Sequence, residues 1–165
     1  MPRCLAPPSY NPGMAPTKGR WQAPEGLRVH PDGTWRVGDV HVIHPPSLRY
    51  FKLHLVFEEG GAFIVDGGQR MPVVVDGPAF EVTSLVLDTD QREARVVLDD
   101  GTVEAVSDES LGMNRDTGRF ESRVRAGRAT ALLARGPYQM LLEHLEEDQG
   151  RFYLKVGERR IAVRT

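Results

Sequence analysis

The residues most suited to chemistry in this chain are its arginines. Between positions 115 and 135 six of them (Arg115, Arg119, Arg123, Arg125, Arg128, Arg135) face only Asp116 and Glu121, whereas positions 76 to 109 carry ten acids against Arg92 and Arg95. Guanidinium forks match phosphate or carboxylate oxygens two at a time. On a strand from 119 to 125 the two-residue period puts Phe120, Ser122 and Val124 on one face and Arg119, Glu121, Arg123 and Arg125 on the other. Two readings stay open: the arginine face receives a small anion, or it answers the acidic middle of the chain in a salt-bridge lattice. For an anion site the sequence offers Arg125 and Arg135, with Arg70 beside Gly67-Gly68, whose backbone N–H groups could approach an anion. Tyr138 and Trp35 offer aromatic surface for the apolar body of a ligand. Trp35 serves equally well as the cap of a core.

Other chemistries find little support. The chain has no Gly-x-x-x-x-Gly-Lys-Ser/Thr string, no Gly-x-Gly-x-x-Gly and no Gly-x-Ser-x-Gly, so no standard phosphate cradle or nucleophile elbow is present. The histidines (His30, His41, His44, His54, His144) lack chelating spacing, Asp88-Thr89-Asp90 is only a fragment of a calcium loop, and Asp99-Asp100 sits in an Asp-Gly turn and reads as solvated. We therefore expect no catalytic residue, no metal, no cofactor and no enzyme activity. Nucleic acid is not expected either, since the net charge is −2 and no basic stripe interleaves with aromatics.

The elements that position these residues read mostly as strands. With 165 residues, 40% hydrophobic and 27% charged, the chain can bury a core. Seventeen glycines and twelve prolines predict many short elements joined by tight turns. Positions 1 to 24 are proline-rich and read as a flexible arm carrying the single cysteine, Cys4. Leu27 to Ile43 reads as a meander turning at Asp32-Gly33 and Gly38-Asp39. Pro45-Pro46-Ser47 opens a short helix. Strands are expected at His54 to Phe57, Met71 to Val75, Phe80 to Leu87, Glu93 to Leu98 and Thr102 to Val106, with a hairpin from 113 to 125 around Asp116-Thr117-Gly118. The one sustained helical stretch is expected from Arg128 to Glu147, interrupted at Gly136-Pro137. No apolar run reaches the roughly 20 residues of a membrane helix, so a soluble, cytoplasmic protein without a membrane partner is expected.

One pattern recurs. From Pro46 the chain runs through a helical stretch to Glu58-Glu59, Gly61, Phe63-Ile64-Val65 and Pro72 to Val75; from Pro137 it runs to Glu146-Glu147, Gly150, Phe152-Tyr153-Leu154 and Ile161 to Val163. From Gly61 to Pro72 and from Gly150 to Ile161 the step is 11 residues. The expected fold class is α+β, mostly antiparallel strands with two short helical segments and an internal duplication: a first copy at 25–80 and a second, larger copy at 81–165.

Asp32-Gly33-Thr34-Trp35, Leu48 to Phe51, Glu58 to Val65, Val75 to Phe80, Asp116-Thr117-Gly118 and Arg125 to Tyr138 occur in an order that resembles the bacterial family called domain of unknown function 1285. The resemblance covers nearly everything from residue 25 onward. It implies a duplicated α+β protein whose C-terminal half is superficially like a pleckstrin-homology domain. It further implies no established enzyme activity, and a suggested nucleotide-like ligand between the halves with a role in signal transduction. The chain departs from the family where Asp66-Gly67-Gly68-Gln69-Arg70 replaces a Thr-Pro-x-Glu-type segment, so the resemblance does not carry over a ligand contact made there. Its end, Gly157 to Arg164, is also more basic. Two functions follow as expectations: a non-enzymatic sensing module holding a small anionic ligand between the copies through Arg125, Arg135, Tyr138, Arg70 and Trp35, or a protein-interaction domain with no small ligand.

Overall fold

The computed structural model describes residues 24–165; the proline-rich segment and Cys4 lie outside them. The chain divides into two compact units that meet in sequence at Ala79 and Phe80.

In the first unit β1 (Leu27–Val29), β2 (Trp35–Val37) and β3 (Val40–His41) form the expected meander. Its first turn is set by Asp32, whose carboxylate accepts the Thr34 N–H at 2.9 Å and hydroxyl at 2.6 Å. Those bonds hold the Asp32 carboxyl below its ordinary pKa. Helix α1 (Pro45–His54) follows, with prolines in the first turn where an N–H is not needed. It passes directly into β4 (Leu55–Glu58), β5 (Gly61–Asp66) and β6 (Gln69–Val75). The sheet order is β3-β2-β1-β6-β5-β4, closed by a parallel β1–β6 pair with Val29 opposite Val75. Phe51 of α1 is buried and stacks on Trp35, ring centroids 5.9 Å apart. This is the centre of the unit's core.

The second unit has β7 (Phe80–Asp88), β8 (Glu93–Leu98), β9 (Val103–Ala105), β10 (Leu111–Met113), β11 (Phe120–Val124) and β12 (Ala129–Leu133) in the order β10-β11-β12-β7-β8-β9. Helix α2 (Arg135–Glu143) leads into the three-stranded sheet β13 (Leu145–Asp148), β14 (Arg151–Val156) and β15 (Arg159–Val163). A parallel bridge from Gly112 to Arg164 joins β10 to β15.

The strand registers make the duplication explicit. Leu55 faces Ile64 and Leu145 faces Leu154; Ile64 faces Met71 and Leu154 faces Ile161. The displacement is a constant 90 positions, from Gly60 to Gly150, through both helices and hairpins. The sequence alignment through Gly61 and Pro137 is therefore slipped by one residue on either side. In a strand such a slip exchanges the two faces, so the correction decides which residues are compared. The likeness also reaches back further: β10-β11-β12 corresponds to β1-β2-β3, since the bridge Gly112–Arg164 repeats the pair Arg28–Val74. Strands β7 to β9 have no counterpart in the first unit.

One expected element is corrected. Residues 129 to 133 are a strand, not the start of a helix: Ala129, Ala131 and Leu133 are buried in alternation against β11 and β7. Alanine and leucine favour helices locally, but a place between two strands overrides that weak preference. Helix α2 begins only at Arg135, with Gly136-Pro137 in its first turn, and ends at Glu143, so that Leu145 to Glu147, expected as its end, belong to strand β13 instead. Phe51 and Phe80 are core residues, while Phe63 and Phe152 are half-buried.

Candidate functional site

The residues singled out from sequence fall into three settings. Trp35 is 3% exposed, its indole N–H donates to the Ala79 carbonyl at 3.1 Å, and its ring lies on Phe51. It does the work of a core cap within the first unit. Arg70 lies over the Phe63 ring, 3.9 Å from its centroid, and pairs with Glu58. It belongs to the outer face of the first sheet.

Arg125 is the most constrained. Its guanidinium donates to the buried Asp100 carboxylate at 2.5 Å and to Glu104 at 3.3 Å, and lies 4.8 Å from the Phe80 ring centroid. Its backbone N–H donates to the same Glu104 carboxylate at 2.9 Å. The chain turns there through three positive φ values, 55° at Arg125, 55° at Ala126 and 80° at Gly127, a conformation that costs non-glycine residues energy. The ion pairs hold the turn in that state. Asp100 also accepts the Thr102 N–H at 2.9 Å and hydroxyl at 2.7 Å. Of the two readings of the arginine run, Arg125 thus belongs to the lattice. Asp100, expected to be a solvated turn residue, is 1% exposed. Nothing in Asp-Asp-Gly separates a buried carboxylate from a solvated one, so sequence reasoning missed this cluster.

Arg135 is exposed in the first turn of α2 and enters none of the ion pairs among the described residues. Tyr138, one turn on, is 38% exposed and its ring centroid lies 5.7 Å from that of Phe120. The structure therefore brings Arg135 and Tyr138 onto one helix turn, and Arg125 into a separate buried cluster. Among the described residues no group of three metal-ligating side chains occurs, and no helix is long and apolar enough to cross a membrane.

The feature not anticipated is the outer face of the first sheet. Cross-strand partners share a face. Val56 stands opposite Phe63 and Phe63 opposite Pro72; Val74, two residues on, stands opposite Arg28, then Arg36 and His41. Val56 is 38% and Val74 47% exposed, and Pro72 is exposed. The β4-to-β6 half is apolar, and the β1-to-β3 half is basic. In the second unit the matching positions are Glu146 for Val56, Tyr153 for Phe63, Ala162 for Pro72, Arg164 for Val74 and Glu121 for Arg36. Three of them are ion-paired, Glu146 with Lys155 at 2.7 Å and Arg164 with Glu121 at 3.1 Å. At the positions of Val56 and Val74 one frame thus carries exposed apolar side chains once and ion-paired charges once. A correctly registered alignment of the two repeats would have revealed it.

No protein-family model matches the sequence, and no curated protein matches it. Among solved structures, the chain is similar to a DUF1285 family protein from Silicibacter pomeroyi DSS-3, with a TM-score of 0.65 and 22% identity over 93% of this chain and 88% of that one. A DUF1285 family protein from Shewanella baltica OS155 matches with a TM-score of 0.55 and 12% identity, over 72% of this chain and 91% of that one. The chain has the fold of these DUF1285 family proteins, the family that its ordered strings resemble. Function has to be argued from surfaces and sites, because a shared fold does not carry a shared activity.

Proposed function

We propose that this is a non-enzymatic protein-interaction module that docks a partner protein on the outer face of its first sheet. The observation that carries this reading is the contrast at matching positions: Val56 and Val74 stand exposed where the second copy places Glu146 and Arg164 in ion pairs. A contiguous apolar patch on a solvated sheet face is retained at a cost in solubility, and such patches commonly mark contact surfaces. Site-specific photo-crosslinking in the native cell tests it. A crosslinker at position 74 should give a protein adduct that one at Val103, also exposed but in the second unit, does not. Absence of any adduct at 74 removes the reading.

A second reading is favoured by the open pair Arg135 and Tyr138 on the first turn of α2, where helix N–H groups and a guanidinium suit a small, nucleotide-like anion in a signalling role. The pleckstrin-homology likeness of the second unit belongs with it; a six-stranded sheet ending on a helix supports that likeness, and the parallel β12–β7 pair sets it apart. Nucleotides should then raise the melting temperature of the wild type and fail to raise that of Arg135→Ala. Equal shifts in both would exclude this site.

A further inference from the structure

We infer that the partner's contacting segment is acidic and amphipathic, with apolar side chains against Val56, Phe63, Pro72 and Val74 and carboxylates toward Arg28, Arg36 and His41. This rests on the docking reading above and adds the chemistry of the partner. Among the described residues the strands carry on this face three arginines, Arg28, Arg36 and Arg70, and one acid, Glu58, which pairs with Arg70. The acids that answer Arg28 and Arg36 are Asp76, 3.2 Å away, and Asp32, 3.5 Å away, both outside the strands of this face. The Arg28–Asp76 pair is solvent-exposed, its side chains 50% and 44% exposed; in the other pair Asp32 is exposed and Arg36 is half-buried. Exposed pairs contribute little, so an incoming carboxylate can replace the acid at small cost.

Arg70 adds a second contact mode. It shields Phe63 while bound to Glu58, and a partner carboxylate that draws it aside uncovers the ring for apolar contact. The dimensions suit one helix. Six strands about 4.8 Å apart span about 24 Å, the length of about 16 helical residues. Apolar anchors would occupy one end of such a helix and acids the other. A basic half beside an apolar half disfavours a second copy laid face to face, because arginines would approach arginines wherever the basic halves overlap.

The test uses the full chain and a panel of synthetic peptides about 16 residues long, with leucines in one half and glutamates in the other at varied spacing. At least one member should bind, and replacing its glutamates with lysine should weaken binding at least tenfold. The double variant Val56→Glu, Val74→Arg writes the second copy's residues onto the first and should lose the peptide at least tenfold while keeping the wild-type melting temperature. Arg28→Glu with Arg36→Glu should exchange preference, losing the glutamate peptide and gaining the lysine one. The inference is overturned if no peptide binds, if lysine peptides bind wild type equally, or if both double variants bind unchanged. It is also overturned if only phosphatidylglycerol vesicles bind, or if sedimentation shows a self-associated form that the valine variant dissolves. Crosslinking at position 74 without any acidic-peptide binding would refute the partner chemistry and leave the docking reading standing.

Discussion

The first copy and the second share a frame residue for residue over their helix and hairpins, yet they have solved the exposed side of that frame in opposite ways. In both, an arginine on the last strand lies over an aromatic ring on the middle strand: Arg70 over Phe63, and Arg160 over Tyr153 at 4.2 Å from its centroid. In both it pairs with the acid that ends the first strand, Glu58 or Asp148. Around that shared clip the second copy places paired charges, Glu146 and Arg164, where the first leaves Val56 and Val74. The frame therefore does not require an apolar outer face. What the first copy exposes is not dictated by folding, and this is what the proposed docking role rests on.

The comparison can be broken at several points. The largest effect is expected where the units have no common part, at the β8–β9 turn. Removing Asp100, whose side chain is fully buried, takes the buried partner from Arg125 and leaves it Glu104 alone, and Asp100→Ala should lower stability by about 3 kcal/mol by denaturant unfolding. A change under about 0.5 kcal/mol, no larger than that of an ordinary surface substitution, would show that the pair is dispensable. Next comes the helix position that the copies fill differently, Phe51 and Leu141. Phe51→Leu should cost about 1 to 2 kcal/mol through loss of the Trp35 stack and a small void, and Leu141→Phe about 1 to 3 kcal/mol through overpacking. If both are neutral, the cores are interchangeable and the difference between copies is confined to the surface.

The smallest effect concerns Tyr50, which donates to Asp66, whereas the matching second-copy residues are Met140 and Val156. Burial, then the bond to Asp66, pushes the Tyr50 phenol up to about 12. The sign is set by the neutral form being favoured in the folded state. Stability contributed by this group is present below pH 10 and declines as the pH rises toward 12. Phenolate absorbance should show one late-titrating tyrosine that Tyr50→Phe removes; an unchanged titration would place the late group elsewhere.

Much of the architecture was legible in the sequence because its signals are local. Asp32-Gly33, Asp99-Asp100-Gly101 and Asp116-Thr117-Gly118 mark turns through backbone chemistry, and Pro45-Pro46 marks a helix start, whatever surrounds them. Residues 129 to 133 were misread because their strand is imposed by β11 and β7, which no local preference encodes. The repeat was visible, but its one-residue slip hid the opposed faces, since register is a tertiary property. Site residues were the least legible. Arg125 and Arg135 are the same side chain in the same basic run, and only the fold places one against a buried carboxylate and the other in solvent.

The parallel pair that closes the first sheet carries a kinetic consequence. Helix α1 and the β4-β5-β6 hairpins join neighbours in sequence, but β1 must wait for β6, because Val29 meets Val75 across everything between them. Long-range closure of this kind is slow relative to helix and hairpin formation. The outer face is therefore assembled in two stages, its valines and Arg70 before Arg28 and Arg36. In pulsed hydrogen exchange during refolding, the amides of β1 should gain protection after those of β5; simultaneous protection would show that the unit closes in a single step. Until β1 docks, the nascent chain presents Val56, Phe63 and Val74 without their basic flank, and it is in that interval that an unselective apolar contact has its opening.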